Sequence, residues 1–275
     1  MILNKPNLTT FFIFKEPIAL RAYKLITFVI TLYLLCSCGS DTTVYTEAKK
    51  GPISAQTLEE NDRLFEQRQD LANLREAIAN LIRARRENER SFDVEWRLAK
   101  YNYYLGRHTT DQKEKDKAFD EGQAAGKLAV KLDPNKPDGH FWYGANLGAQ
   151  ANENPLTVGV TSVNAIRETM NKVLELQPDY EMASAYDVLG QLELGTRMIG
   201  GSAEKAVELL EKGIELEKFN GETRVHLAEA FLALNKSGDA KRQLEYVLEM
   251  KPNPAYMPEY AQQVEKAKKL LDTRF

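Results

Sequence analysis

Between Ala203 and Pro252 the chain begins to repeat itself. Ala206, Leu210 and Leu216 recur 34 residues later as Ala240, Leu244 and Met250. Small and large apolar residues set one or two helical turns apart mark a helix with an apolar stripe. A 34-residue period of such helices is the mark of a helix-turn-helix solenoid, whose units bury their stripes only by stacking on one another. An all-α superhelix is therefore the expected fold class, and the rest of the chain can be searched for further units.

From Thr57 onward nearly every stretch has helical periodicity, and β-branched runs of period two are missing. Leu64, Phe65, Leu71, Leu74, Ile78, Leu81 and Ile82 form a first pair, with Ala77, Leu81 and Ala84 on its second helix. The second pair runs from Asp93 to Gly106 and, after the polar stretch RHTTDQKEKDK, from Ala118 to Leu132, stopping at Asp133-Pro134, where proline cannot continue a helix. Asp138 is the expected N-cap of the third pair, which holds Tyr143-Gly144-x-x-Leu147, then the long turn ANENPLTVGVTS and a helix from Val163 to Leu176. The fourth has Tyr186-x-x-Leu189-Gly190, the turn LGTRMIGGS and Ser202 as cap; the fifth, 221–252, has Leu227-Ala228-x-x-Phe231 and Gly238 in its turn. These fit, with varying closeness, the W-x2-L-G-x2-Y core of tetratricopeptide (TPR) repeats. Pro258 then opens a capping helix with Met257, Tyr260, Val264, Ala267 and Leu271 on one face. About five pairs and a cap are expected.

The first 37 residues differ in kind. A basic region ending in Arg21 and Lys24 leads into an apolar run from Leu25 to Leu35, too short for a membrane span of roughly 20 residues and right for a signal-peptide core. Leu35-Cys36-Ser37-Cys38-Gly39 follows, and resembles the lipobox of bacterial lipoproteins with Cys38 as the lipidated residue. The expected organisation is a signal peptide over 1–37, a flexible tether over 38–55 and the TPR-like helical domain over 56–275. A lipid anchor would hold the protein on a membrane of the bacterial envelope, facing the periplasm. Gly39, where an aspartate would signal inner-membrane retention, favours the outer membrane.

Composition restricts function more than it specifies it. Net charge is −3; the 4 cations and 1 anion of the first 37 residues leave 33 cations against 39 anions, a net of −6, in the remainder. General nucleic-acid binding, which needs a basic face, is not expected. Cys36 and Cys38 are the only cysteines, so the helical domain has no thiol for catalysis, a disulfide or a metal. His108, His140 and His226 stand more than 30 residues apart on different pairs, which does not suggest a metal site. No nucleophile elbow, phosphate loop or dinucleotide fingerprint is present, and neither an enzyme nor a cofactor is expected. Gly200-Gly201, ahead of a helix, reads first as a tight turn and second as an anion site.

Binding surface is the stronger prospect. In a TPR array the first helix of each pair lines the concave face, and positions one past the Trp and Gly sites point inward. Those offsets select Trp96, Lys100, Tyr103 and Tyr104 on the second pair, Phe141, Ala145 and Gly148 on the third, and Asp187 and Gln191 on the fourth. An aromatic wall with a few polar groups suits a small apolar or amphipathic ligand, or a side chain of a protein partner. The same aromatic residues at helical spacing also fit a core.

Five segments together resemble one family: DLANLREAIANLIRAR, EWRLAKYNYYLG, HFWYGANLG, TRMIGGSAEKAVELLEKGIEL and LEYVLEMKPNPAYMPEYAQQVEKAKKLL. They are similar to TatT-type lipoproteins, the TPR-like periplasmic partners of tripartite ATP-independent periplasmic (TRAP) transporters, over roughly 56–272. The resemblance implies a bundle of degenerate TPRs, hydrophobic clefts, a solute-binding protein as partner and assembly into a homo-oligomer. A scaffold for protein contacts in envelope assembly is the alternative.

Overall fold

The computed structural model describes residues 53–85, 90–155 and 159–275. The expected signal peptide, Cys38 and almost all of the tether lie outside them. Eleven α-helices are found among the described residues: α1 (Ala55–Glu66), α2 (Leu71–Ala84), α3 (Phe92–His108), α4 (Gln112–Leu132), α5 (Pro137–Glu153), α6 (Val160–Leu176), α7 (Tyr180–Gly195), α8 (Ala203–Leu216), α9 (Gly221–Ala233), α10 (Ser237–Glu249) and α11 (Met257–Arg274). Two short 3-10 turns, Arg197–Ile199 and Pro254–Tyr256, precede α8 and α11. None of the helices is long and apolar enough to cross a membrane. The helices pack as five antiparallel pairs with α11 against α9 and α10, which is the expected array and cap. First helices also touch one another, α3 on α5, α5 on α7 and α7 on α9.

Close packing of the two helices within a pair explains the small residues of the repeat. A Cβ on Gly144 would stand 2.5 Å from Met170 Cε, and one on Gly190 2.6 Å from Leu210 Cγ, so any larger residue at these crossings drives the helices of a pair apart. Ala99 and Ala228 occupy the matching places in the second and fifth pairs and are fully buried. Large apolar residues fill the space around them in two clusters. One runs from Leu74 to Leu189; the other holds Leu210, Leu227, Phe231, Leu244 and Ala267. Burying a leucine such as Leu244, 0% exposed, contributes about 1.5–3 kcal/mol relative to leaving it in water.

Caps and turns follow the side chains expected to form them, except that Gly238, expected in a turn, is the second residue of α10, and with three further differences. Ser202 accepts a hydrogen bond from Lys205 N at 3.0 Å, and Asn220 caps α9 through Thr223 N at 3.1 Å. The polar stretch before Ala118 is not a connector: α4 starts at Gln112, because Asp111 accepts from the backbone of Lys113 and Glu114 and Gln112 bonds Asp116 one turn on. A helix needs only one apolar face, and these residues supply its solvated one. Asp138 does not cap α5, which begins at Pro137; its carboxylate instead accepts from the Tyr180 hydroxyl at 2.9 Å. Helix α6 begins at Val160, three residues earlier than expected.

Candidate functional site

The first helices α3, α5, α7 and α9, together with the start of α11, surround a cavity of about 570 Å³. That is within the range of small-ligand sites. Phe141 and Ala145 of α5, Val188 and Leu192 of α7 and Val225 of α9 give it apolar surface. Tyr103 and Arg107 of α3, Asp187 and Gln191 of α7, and Glu222 and His226 of α9 give it polar surface.

The polar groups are organised in pairs. Arg107 donates to the Tyr103 hydroxyl at 2.8 Å and to Glu222 at 3.3 Å. Arg107 and Glu222 keep 39% and 37% of their side-chain surface accessible, so the pair faces open space. Burial opposes the charge on Glu222, but Arg107 and then His226 outweigh it and hold its pKa below the ordinary range. The Asp187 carboxylate is shared: one oxygen lies 2.8 Å from His226 Nδ1 and the other accepts from Gln191 at 2.7 Å. Burial alone would lower the His226 pKa; Asp187 overrides it and raises it.

Behind the apolar surface stands an aromatic cluster. Phe65 stacks on Tyr101 at 4.7 Å, Tyr103 and Tyr104 meet edge to face, and Trp142 touches both tyrosines and Phe141. Trp142 Nε1 donates to the Tyr180 hydroxyl at 3.2 Å, and burial drives the Tyr180 pKa far upward. Thus the aromatic residues of the second and third pairs are core and cavity wall at once. Phe141 is buried in the core cluster and also lines the cavity.

Seven of the nine residues that the repeat offsets select line the cavity, Tyr103, Phe141, Ala145, Asp187 and Gln191 among them. Tyr104 and Gly148 are the other two that line it. Trp96 and Lys100 do not. Trp96 lies half-buried on α3 under the Arg97 guanidinium, 4.4 Å from its ring centroid. Lys100 is drawn to Glu181 at 2.8 Å, with its ammonium 5.0 Å from the Phe65 and 5.1 Å from the Trp142 ring centres. Both precede Tyr103 on α3, and only the C-terminal part of that helix reaches the cavity. Arg107, Glu222 and His226 carry no motif; carried to the fifth pair, the offsets that select Asp187 and Gln191 fall on Val225, which lines the cavity, and on Glu229, and they pass over Glu222 and His226.

One wall of the cavity is strained. Glu181, Met182 and Ala183 have φ of 46°, 58° and 59°, three successive non-glycine residues in the left-handed region. Each costs about 1–2 kcal/mol. Side chains from elsewhere hold the turn: Asn220 donates to Met182 O at 2.9 Å, and the Glu181 carboxylate takes Lys100 on one oxygen and the Tyr256 hydroxyl, at 2.6 Å, on the other. Backbone held in this way is concentrated at functional positions.

The glycine turn is different. Gly200 has φ 114°, and Gly201 sits so close to Glu193 O that a Cβ would fall 2.3 Å from it. The α8 N-terminus beyond it already receives a carboxylate of the same chain, since Ser202 N donates to Glu193 at 3.3 Å and Arg167 and Lys205 flank that group. It is a turn with its own counter-ions. The histidines are likewise engaged locally, His108 at Tyr104 O and His140 at Pro134 O. No group of three or more metal-ligating side chains occurs among the described residues.

Paired helices, small residues at the crossings and an interior cavity define a TPR-like helical-repeat protein. More narrowly, the chain belongs to the family of regulator of microtubule dynamics proteins 1-3, whose model matches residues 57–196, α1 through α7. It is similar to regulator of microtubule dynamics protein 3 of Rattus norvegicus, with 24% identity over 176 residues, 58% of this chain and 37% of that one. The chain thus spans about a third of that relative's length. Among solved structures it is similar to TTC0263, a thermophilic TPR protein of Thermus thermophilus, at 20% identity and a TM-score of 0.56 over 78% of this chain and 98% of that one. MamA protein is more distant, at 14% identity and a TM-score of 0.44 over 81% and 98%.

Proposed function

We propose that the chain is a binding protein that receives an apolar or amphipathic ligand, or a side chain of a protein partner, in its interior cavity. The carrying observation is that cavity itself: about 570 Å³, apolar on α5 and α7, with half-accessible Arg107 and Glu222 at its polar side. Binding is preferred over catalysis because the polar groups there neutralise one another, Arg107 with Glu222, His226 with Asp187 and Lys266 with Glu229. No cofactor is invoked.

The setting rests on sequence. The lipobox-like Leu35–Gly39 supports a lipid anchor at Cys38 in the bacterial envelope, and Gly39 an outer-membrane location. The segments shared with TatT-type lipoproteins support a role as accessory component of TRAP-like uptake, with a solute-binding protein as partner. From the family established by residues 57–196 we carry over only the repeat scaffold as a binding module; the regulation of microtubule dynamics in the relative's name is a property of a longer protein.

Native mass spectrometry of the detergent-purified full chain tests this reading. We expect a retained small molecule or a stoichiometric partner, lost when Ala145→Trp fills the cavity. A wild-type chain that carries nothing and captures no solute-binding protein would refute it. A second reading, a scaffold for envelope assembly, is favoured by Met198, 94% exposed, and Ile199, 63% exposed, on the 3-10 turn after α7. A partner lost on Met198→Ser and kept in Ala145→Trp would select that reading.

A further inference from the structure

Residues 252–260 close one side of the cavity, and they are held in place differently from the helix they lead into. The body of α11 is fixed by apolar burial: Ala267 is fully buried, and Val264 and Leu271 pack on the cluster around Leu227 and Leu244. The strap before it has no buried residue, and Met257 is half exposed. Its fixings are polar contacts to distant parts of the chain. Arg68, in the turn between α1 and α2, donates from Nε and Nη2 to the two Glu259 oxygens, both at 2.7 Å, and from Nη2 to Ala255 O at 2.7 Å. Tyr256 donates to Glu181, the residue at the head of the left-handed turn. The Tyr260 hydroxyl, bonded to Val247 O and Met250 O, pins the far end to α10.

These two modes of attachment fail in different ways. Apolar packing is the sum of many small non-directional contacts, whereas a strap on a few directional bonds is released when those bonds break together. On the other side of the clasp, release of Glu181 also frees a strained backbone. Pro252, Asn253, Tyr256 and Glu259 all face the cavity, so movement of this strap changes access to it.

The geometry points to residues 252–260 as a lid over the cavity, clasped by Arg68–Glu259 and Tyr256–Glu181 and hinged at Tyr260, and opening without release of the rest of α11. Its role in ligand entry rests on the cavity being the binding site. The family match ends at residue 196, so the lid and its hinge lie beyond the region that match covers.

Hydrogen exchange on the full chain in detergent, comparing wild type with Glu259→Gln/Tyr256→Phe, tests the lid. The six non-proline amides of 252–260 should exchange about tenfold faster or more in the variant, as expected for loss of charge-assisted hydrogen bonds, with 263–272 unchanged. Entry of 1-anilinonaphthalene-8-sulfonate, followed by stopped-flow fluorescence, should quicken by a similar factor. Arg68→Lys, which keeps the charge and loses the two-pronged geometry, should give a smaller change in the same direction and serves if the double variant does not fold. A common exchange rate for strap and helix body, or a strap unaffected by either variant, overturns the lid. Faster strap exchange with an unchanged entry rate overturns its role in access. Dye fluorescence that is absent, or indifferent to Ala145→Trp, counts against the cavity reading instead, and the exchange rates still decide whether the strap opens.

Discussion

The C-terminal helices α8 to α11 and the helices α3 to α7 before them are built on the same helix-turn-helix unit and filled differently. Around α8 to α11 the core is almost wholly aliphatic, with Leu210, Val225, Leu227, Leu244 and Val247 packed about small alanines. Around α3 to α7 it is aromatic and partly polar: Trp142 and Tyr101 are among its largest fully buried side chains, and Glu95, Asn102, Asn146 and Asp187 are buried with them. Aliphatic burial requires nothing of a neighbour but shape, so the regular end can be built by repetition. Buried polar groups need individual partners: Asn146 donates to Ala99 O at 3.0 Å, Glu95 accepts from Arg85 at 2.7 Å, and Asp187 pairs with His226 Nδ1 at 2.8 Å. The division is not complete. Helix α9 belongs to the regular end, yet one of its faces enters the aliphatic core while Glu222 and His226 enter the site.

Substitutions can break or sharpen this contrast. Trp142→Ala should have the largest effect, lowering stability in urea denaturation by about 3–5 kcal/mol and altering whatever the cavity holds, since it empties the aromatic cluster and removes the donor to Tyr180. Leu244→Ala should cost about 2–5 kcal/mol and leave cavity binding unchanged. If Leu244→Ala disturbed binding as much as Trp142→Ala, the two regions would not be separable. Gly190→Ala should cost about 1–3 kcal/mol by thermal melting, because the new methyl meets the branch point of Leu210. Gly144→Ala should cost less, since one of the two atoms in its way is the mobile end of Met170.

The smallest effect is a pH dependence confined to the polar side of the site. His226 has a folded pKa above its ordinary 6.5, so its contribution to stability is present in full below 6.5 and is lost as pH rises through the folded value. Asp187→Asn leaves burial to lower the His226 pKa and should abolish or reverse that slope in a plot of melting temperature against pH, and Leu244→Ala should leave it. An unchanged slope in Asp187→Asn would show that the pair is not linked to folding.

The fold was legible because it depends on periodic apolar residues and on small residues at crossings: Ala206 and Leu210, Gly144 and Gly190 can be read without knowing what they touch. Tyr103, Phe141, Ala145, Asp187 and Gln191 were legible at one remove, since repeat geometry aims those offsets inward. Trp96 and Lys100 obey the same offsets and miss the cavity because their end of α3 is occupied by Arg97 and Glu181. The clasp was not legible. Arg68 and Glu259 are 191 residues apart and Glu181 owes its position to a left-handed turn with no glycine in it, so nothing local signals either. The extra turns of α4 went unseen because a solvated helix face and a polar connector have the same composition.

The most direct test of the central claim places a photoreactive benzoyl-phenylalanine at Gln191, inside the cavity, and separately at Trp96, outside it, in the full chain expressed in cells. The account predicts a specific crosslinked ligand or partner from position 191, suppressed by Ala145→Trp, and none of the same species from position 96. The same species captured at Trp96 with none at Gln191 would contradict it, and would move the binding surface off the cavity.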